Sequence, residues 1–397
     1  MAVGTRPGER TERGILKVWY NPQTRALIYQ VALVGGLLLL LWYLVSNLVS
    51  NLERQNISTG FGFLWREAGF EISESLIPYG AADTYGRAFL VGLLNTFQVA
   101  FIGIVLATVL GTVVGILRLS SNWLVAKVAS GYVEVMRNLP LLLQLFIWYA
   151  IITVSMPGPR NALEPFTGLV ISNRGIRFAV PAEDPSHFWI GLALLFGIAA
   201  AVLVYRYIRR YQDRTGQRLP ALRYCLVALL GPPLVIWLAF GAPSEMSVPV
   251  LQGFNFQGGM VISPEYAAVL FGLTFYTAGF IAEIVRAGIL AVSWGQTEAA
   301  ASLGLRQGLV LRLVVLPQAL RLIIPPTTSQ YLNLTKNSSL AVAVGYPDLV
   351  SVGNTTMNQT GQAIEAITIF MAVYLTISLS ISAFMNWYNR HIALVER

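Results

Sequence analysis

Long apolar stretches alternate with charged segments along the whole chain, and each stretch is long enough to cross a lipid bilayer. A membrane-spanning helix needs about 20 mostly apolar residues. Eight stretches meet this requirement, although all except the first, second and eighth also contain charged residues. The predicted spans cover residues 26–52, 88–117, 123–155, 187–207, 221–242, 265–290, 319–345 and 366–389. The pattern predicts an all-α integral membrane protein with about eight transmembrane helices.

The composition agrees with this prediction and excludes other classes of protein. Of the 397 residues, 55% are hydrophobic and 12% are charged, and the mean hydropathy is +0.61. Soluble domains carry about 25% charged residues, and disordered chains are poor in apolar residues. The single cysteine excludes a disulfide framework and a thiolate-rich metal site, and two histidines leave little for zinc binding or acid–base chemistry. We therefore expect no catalytic residues, no metal site and no cofactor in this chain.

The net charge of +8 is explained by membrane topology. Lys and Arg accumulate on the cytoplasmic side of membrane proteins. With both termini in the cytoplasm, nineteen basic residues lie in cytoplasmic segments and six in outer loops. We therefore expect a multi-pass protein with cytoplasmic termini and no nucleic-acid partner.

The spans divide the chain into a core in two pieces and additional segments around it. We expect a cytoplasmic leader with the first span (1–52), an outer segment (53–86), a core (87–155 and 264–390) and a tail (391–397). Residues 14–25, apolar and basic with Pro22, suit a short helix in the inner membrane interface. Residues 156–263 form an insert with two further spans joined by an arginine-rich connector.

The loop at 293–318, between the sixth and seventh spans, has a composition unlike that of an ordinary connection. Thr297 can cap a helix that begins at Glu298 and continues through three alanines. Gly304 then permits a sharp reversal, and Pro317 marks the start of the next span. Small residues before a glycine elbow would let this helix seat closely in another protein. The alternative is a plain amphipathic hairpin on the membrane surface.

The spacing of this loop resembles the signature cytoplasmic loop of ABC-importer permease subunits. The matching residues are Glu298, Ala299, Ala300, Gly304, Leu316 and Pro317, with Val314 in the place of the usual isoleucine. The resemblance implies a type I importer fold. It also implies that the loop is a coupling helix, which docks into an ATP-binding subunit.

Further matches are similar to the polar amino-acid permeases of the histidine/glutamine type. They lie at residues 92–96, 132–146, 281–289 and 316–319. Ordinary members of this branch lack the insert. The chain therefore resembles the larger permease of the general L-amino-acid importers, or its relative for glutamate, glutamine, aspartate and asparagine.

The resemblance also implies partners and a location. They are a second permease subunit (a shorter paralogue), two ATP-binding subunits that carry ATP and Mg, a periplasmic amino-acid-binding protein and an L-amino-acid substrate. The location is the bacterial inner membrane. The chain itself has no G-x-x-x-x-G-K-[ST] motif for ATP.

Two other classes of function stay open at this point. A secondary, ion-coupled amino-acid carrier would show inverted repeats and broken helices near the membrane centre. The Pro325-Pro326 pair is compatible with that class, but the first half shows no matching broken segment. A membrane scaffold or receptor would leave the charged residues within the spans unexplained.

Ionisable residues within spans are candidates for function, and two pairs occur here. Glu134 lies three residues before Arg137, and Glu283 lies three residues before Arg286, so each pair can meet on one helix face. Both pairs lie toward the cytoplasmic ends of their spans. We interpret them as structural or gating pairs, with substrate binding as the alternative.

The seventh span contains an unusually polar run that is a candidate for the substrate pathway. Helical spacing places Gln330, Asn333 and Asn337 along one face, with Ser338 beside it and Lys336 toward the outer side. These side chains could line a cavity for an amino acid, with Lys336 attracting its carboxylate. Alternatively, they only bond neighbouring helices.

Overall fold

The structure is a computed structural model that describes residues 22–54, 59–182, 184–217 and 219–392. Seven helices within these ranges are long and apolar enough to cross a membrane, and a bent pair of helices raises the number to eight. The expected helical membrane architecture with about eight spans is confirmed. The predicted interfacial helix at 14–25 falls mostly outside the described residues, as does the end of the tail.

Contacts divide the described chain into two compact units. The smaller contains residues 22–54, 59–72, 77–91 and 352–375, and the larger contains 73–76, 92–351 and 376–392 without the gaps given above. The long helices are α1 (Pro22–Arg54), α2 (Tyr85–Leu117), α5 (Ser186–Thr215), α6 (Ala221–Ala239), α7 (Pro264–Leu290), α10 (Leu316–Asn337) and α12 (Ala363–Ile392). The shorter helices are α3 (Trp123–Asn138), α4 (Leu141–Ala150), α8 (Trp294–Ser302), α9 (Gln307–Val310) and α11 (Leu349–Thr360).

Helix α7 forms the centre of the larger unit. Small residues along it let neighbouring helices approach closely, as is typical of packing between membrane helices. A side chain at Gly272 would overlap Leu145 of α4, and one at Gly288 would overlap Ile323 of α10. Most of the apolar part of α7 is buried, whereas α1 has no buried residue. The apolar surface of α1 is thus left for lipid or another subunit.

The third predicted span is not one continuous helix. Helices α3 and α4 meet at an angle of 107°, with a π-helical turn at Ile151–Ser155 extending α4. The bend lies at Leu139, which is extended (φ −88°, ψ 133°) because the residue before a proline avoids the helical region. The Gln144 side chain donates to the carbonyls of Met136 (2.9 Å) and Leu139 (3.1 Å) and so stabilises the corner.

The insert adds β-structure that the hydrophobic pattern did not predict. The strands are β1 (Leu163–Phe166), β2 (Leu169–Ser172), β3 (Gly175–Phe178), β4 (Val180–Pro181), β5 (Met246–Ser247), β6 (Val250–Gln252), β7 (Asn255–Gln257) and β8 (Met260–Ile262). An antiparallel sheet has the order β1-β2-β3-β8, with Ile176 opposite Ile262, and β4-β5 and β6-β7 form two small pairs. Between the two groups of strands, α5 and α6 form a helical hairpin.

Most of the described outer segment folds within the smaller unit, whereas residues 73–76 belong to the larger one. Phe63, in a 3-10 turn at Phe61–Trp65, is 1% exposed and contacts the rings of Tyr85 and Phe89 edge-on. The Gly60 amide donates to the Glu365 carboxylate at 2.6 Å. The segment is therefore held by a small aromatic core of its own, on the first turns of α2.

Candidate functional site

The loop at 293–318, which matches the signature loop of ABC-importer permeases, contains helix α8, a turn at Gly304 and helix α9. Helix α8 begins at Trp294, four residues before Glu298, where a cap at Thr297 would start it, so the predicted cap at Thr297 is wrong. Ser293 occupies the capping position in extended geometry, and the Trp294 indole donates to the Glu298 carboxylate at 2.8 Å. Glu298 therefore lies within the helix and braces its first turn.

Gly304 forms the predicted elbow with a left-handed backbone (φ +74°). Its amide donates to the Ala301 carbonyl at 2.9 Å, and the Leu305 amide reaches the Ala300 carbonyl at 3.4 Å. This is the way in which glycine commonly ends a helix. A β carbon at Gly304 would meet nothing within 4 Å in this chain, so the glycine is needed for its backbone conformation.

One face of the loop is exposed and carries apolar side chains. Trp294 is 74% exposed and Leu303 82% exposed, whereas Ala300 faces inward and is buried. The exposed Ala299 leaves the backbone beside it accessible. Pro317 lies in the first turn of α10, after a π-helical turn at Leu311–Val315. The described loop thus presents a short, small-residue helix with bulky apolar groups at both ends.

A groove of about 440 Å³ lies beside α8. Its lining residues are Trp294, Thr297, Glu298, Ala301, Leu305, Gln307, Val310, Leu311 and Val315. It separates α8 from the helical turns that lead into α10.

The predicted charge pairs are rearranged into one cluster around Glu283. Its carboxylate accepts a hydrogen bond from Arg118 and contacts the guanidinium groups of Arg137 (3.8 Å) and Arg286 (3.3 Å). The Glu283–Arg286 pair is present, but a Glu134–Arg137 pair is not. Glu134 is exposed and forms no ion pair with another described residue.

The cluster joins three helices and contains more positive than negative charge. Arg118 follows α2, Arg137 lies on α3, and Glu283 and Arg286 lie on α7. Arg118 also donates to the Ser130 hydroxyl at 3.3 Å, and Arg137 lies over the Phe280 ring at 5.2 Å. Local spacing does not predict Arg118 as a member of this cluster, because in the sequence it is only a charge at the end of a span.

Helix α10 divides the predicted pathway residues between two environments. Asn333 and Lys336 are exposed, and Gln330 and Asn337 are half-buried. Ser338 is 1% exposed and its hydroxyl donates to the Thr335 carbonyl at 2.7 Å, so it lies away from the exposed stripe, and its place in the pathway stays a prediction. In the described part of the chain, a polar stripe of α10 is thus left uncovered.

A second face of α10 borders a cavity of about 350 Å³ that the sequence analysis did not predict. Its lining residues are Thr108, Thr112, Ile281, Val285, Leu320, Ile323, Ile324, Thr327, Tyr331, Phe384, Met385 and Tyr388. The Thr108 hydroxyl donates to the Tyr331 hydroxyl at 2.9 Å, which joins α2 to α10. The described lining contains hydroxyl groups but no charged side chain, so it suits neutral groups.

The residues of the 92–96 motif hydrogen-bond to two other segments of the larger unit, near residue 74 and at residues 347–349. The Asn95 side chain is buried and donates to the carbonyls of Glu74 (2.8 Å) and Pro347 (2.9 Å). The Thr96 hydroxyl accepts the Leu349 amide at 3.1 Å. The role of this motif in the structure is therefore to hold loops.

Glu74 is an unusual carboxyl group that lies beside these hydrogen bonds, outside the membrane spans. One of its carboxyl oxygens is buried without a hydrogen-bond partner among the described residues. Burial, followed by repulsion from Glu265, raises the pKa of Glu74 to about 7. Glu265 itself accepts a hydrogen bond from the Tyr149 hydroxyl at 3.1 Å. Glu74 can therefore change its charge near neutral pH.

Comparisons with known proteins agree with these features. Residues 101–394 match the family described as binding-protein-dependent transport system inner membrane component. The general L-amino acid transport system permease protein AapQ of Rhizobium johnstonii is 47% identical over 396 residues, which cover 100% of this chain and 99% of that protein. The glutamate/glutamine/aspartate/asparagine transport system permease protein BztB of Rhodobacter capsulatus is 42% identical, covering 95% of this chain and 96% of that protein.

One solved structure is also similar. The crystal structure of an amino acid ABC transporter with histidines aligns with a TM-score of 0.46 and 20% identity, over 77% of this chain and 95% of that chain.

Proposed function

The chain belongs to the family of inner membrane components of binding-protein-dependent transport systems, and from this premise we propose that it is the permease subunit of an ATP-driven L-amino-acid importer. The observation that carries the proposal is the exposed coupling loop, in which α8 ends at the left-handed Gly304. Whole-length similarity to amino-acid permeases supports the choice of substrate. A secondary carrier, the alternative left open above, has no support from this family.

The coupling loop transmits the energy of ATP hydrolysis in this proposal. The chain has no phosphate-binding loop motif, so ATP and Mg bind to the partner subunits. Trp294 and Leu303 are bulky and exposed, as are typical anchors of a protein interface. The small residues between them let the ATP-binding subunit approach the helix backbone. Glu298, Ala299, Ala300, Gly304 and Pro317 keep the roles that the family resemblance implies.

The uncovered polar stripe of α10 is the proposed substrate pathway. A charged side chain such as Lys336 is costly in hydrocarbon and therefore faces a protein or an aqueous cavity. Gln330, Asn333, Lys336 and Asn337 would line this route where α10 meets the second permease subunit. Lys336 would attract the substrate carboxylate, and the amides would meet its side chain. The absence of an acid from this stripe favours acidic, amide and neutral amino acids.

The cluster around Glu283 is proposed to act as a structural latch or gate. It fixes the ends of α2, α3 and α7 near one point, and it can release them only by separating charges. Arg137 and Arg286 are partly exposed, so water can reach them when the helices move. We assign no substrate contact to this cluster.

The assembly and its orientation complete the proposal. One chain carries one coupling loop, so a complex with two ATP-binding subunits needs a second permease. The insert favours a shorter paralogue as this second subunit. The excess of Lys and Arg in these segments supports the proposal that both termini lie in the cytoplasm. The outer segment 53–86 and the strands of the insert then face the periplasm, where the amino-acid-binding protein docks.

Transport by the purified complex tests this function. The complex is reconstituted into liposomes, and uptake of labelled L-glutamate is measured with the loaded binding protein outside and ATP inside. We expect uptake to require ATP and to persist when ionophores remove all ion gradients. Uptake that is driven by an ion gradient without ATP would overturn the proposal.

A further inference from the structure

The hairpin formed by α5 and α6 in the insert contains a large groove that the transport function does not use. Its volume is about 770 Å³ and it is open along its length. The lining residues are Ile198, Ala201, Val202, Tyr205, Arg206, Arg209, Arg210, Asp213, Cys225 and Leu229. Two kinds of side chain are thus combined in one groove.

The lining changes from apolar to basic along a single face of α5. Ile198, Val202, Tyr205 and Arg209 are spaced by three or four residues, so they lie above one another on the helix. Across from them, α6 contributes Leu229 and Cys225, and the Cys225 thiol lies 3.7 Å from the Ala201 carbonyl. The groove therefore has an apolar body and a basic mouth.

The mouth carries an excess of positive charge that the described residues do not neutralise. Arg206, Arg209 and Arg210 line it together with one carboxylate, Asp213. None of the three arginines forms an ion pair with another residue in the described ranges. Arg209 lies over the Tyr205 ring at 5.9 Å. An anionic ligand would find two uncompensated positive charges here.

The arginines lie at the depth of lipid headgroups. The uncharged part of α5 from Phe188 to Tyr205 is about 27 Å long at about 1.5 Å per residue, close to the thickness of the hydrocarbon core. Arg206 is the first charged residue after it. By the topology proposed above, this end of the hairpin faces the cytoplasmic leaflet.

We propose that this groove is a binding site for an anionic phospholipid of the inner leaflet. The phosphate of the headgroup contacts the guanidinium groups of Arg206, Arg209 and Arg210. One acyl chain lies in the apolar body between α5 and α6, along Ile198 and Leu229. Charge complementarity selects this occupant, since a basic pocket between helices at the cytoplasmic surface suits an anionic headgroup. Phosphatidylcholine carries no net charge, so its electrostatic attraction to the three arginines is weaker.

Native mass spectrometry of the full chain, purified with its accompanying subunits, measures the binding directly. Phosphatidylglycerol and phosphatidylcholine are titrated separately onto wild type and onto the Arg206→Gln/Arg209→Gln variant. A basic residue near the headgroups contributes about fivefold in affinity, so the double variant is expected to bind phosphatidylglycerol about 25-fold more weakly. The matched control is Arg214→Gln/Arg223→Gln, which removes the same charge from the same end of the hairpin but outside the groove. Equal loss in both variants would overturn the proposal.

Alkylation of Cys225, the only cysteine of the chain, locates the lipid in the groove. The rate of modification by N-ethylmaleimide is followed on the Cys225 peptide in the same preparations. We expect phosphatidylglycerol to slow this rate at least about fivefold more than phosphatidylcholine, in wild type and the control but not in the groove variant. Equal protection by glycerol 3-phosphate would show a simple anion site and overturn the lipid assignment. Protection that is independent of lipid would show a protein partner in the groove and would also overturn it.

Discussion

Arg118 donates a hydrogen bond to Glu283 across 165 residues of sequence and joins the end of α2 to the central helix α7. Arg118 is largely buried, whereas Arg137 and Arg286, the other two cations around Glu283, are more exposed. One carboxylate thus holds three arginines together at the end of the bundle. The stability of the cluster therefore depends mainly on its single acidic residue, Glu283.

Glu283→Gln is expected to destabilise the protein more than Arg137→Gln does. Loss of the carboxylate leaves three guanidinium groups facing one another, and we expect a cost of about 2 kcal/mol. Loss of Arg137 leaves Glu283 with two partners and costs less than about 1 kcal/mol, because this pair is partly exposed. Thermal unfolding of the detergent-solubilised complex measures both. Equal costs would contradict the central place of Glu283.

Glu74 is expected to make stability depend on pH between about 4.5 and 7. Its pKa is raised to about 7 in the folded protein, so the folded state holds a proton that the unfolded state has already lost in the window from about 4.5 to 7. Stability therefore falls as the pH rises through this window. Glu74→Gln should be more stable than wild type at pH 8, and the difference should be smaller at pH 5 and vanish below about pH 4.5.

The control for this experiment is Glu71→Gln, at an exposed position of the same segment. It should shift stability equally at both pH values. If the stability of Glu74→Gln exceeds that of wild type by the same amount at pH 5 and pH 8, the raised pKa of the buried Glu74 is not the cause of the pH dependence.

Gln330→Glu tests the proposed pathway on α10. A negative charge among the amides should favour cationic substrates, so excess arginine should compete with labelled glutamate more strongly than it does in wild type. We expect a change in competition of about tenfold or more, since a charge next to a ligand contributes more than about 1.4 kcal/mol. Gln252→Glu, on an exposed strand of the insert, adds the same charge as a control. An unchanged competition profile in an assembled Gln330→Glu complex would exclude Gln330 from the pathway.

Trp65→Ala tests the docking of the binding protein on the outer segment. Deletion of residues 58–72 would remove the buried Phe63 and with it the core of this segment, so a surface change is the cleaner test. Trp65 is 85% exposed, and exposed tryptophans are frequent anchors of interfaces. We expect about tenfold more binding protein to be needed for half-maximal stimulation of ATP hydrolysis. Trp123→Ala, at the opposite membrane surface in the proposed topology, should leave this concentration unchanged.

The sequence predicted features that depend on local chemistry and missed those that depend on tertiary contacts. The Gly304 elbow and the long apolar spans follow from single residues and from periodicity. The bend at Leu139 could have been predicted, because Pro140 restricts the residue before it. The start of α8 was predicted four residues too late, because Thr297 is a good capping residue by type and the local sequence does not show that the helix already begins at Trp294.

The charge cluster and the pathway residues were harder to predict. Helix spacing paired Glu134 with Arg137, but Arg137 points toward Glu283 on another helix. Arg118 belongs to the same cluster and is remote in sequence, so local spacing contains no signal for it. Ser338 was included by its neighbourhood, yet the chain turns into a 3-10 helix at that residue and buries it. The strands of the insert are two to four residues long, too short for a period-two pattern to be visible.

Binding-protein-stimulated ATP hydrolysis by a Gly304→Trp complex is the most direct test of the coupling loop. Gly216→Trp is the matched control, because Gly216 has a similar left-handed backbone (φ +69°) and open space around it, but lies in the connector of the insert. We expect Gly304→Trp to lose the ATP-binding subunit on purification and at least about 90% of stimulated hydrolysis, since the bulky group blocks close docking and strains the elbow. Gly216→Trp should keep both. Normal subunit association and normal stimulated hydrolysis in Gly304→Trp would contradict the proposed role of this loop.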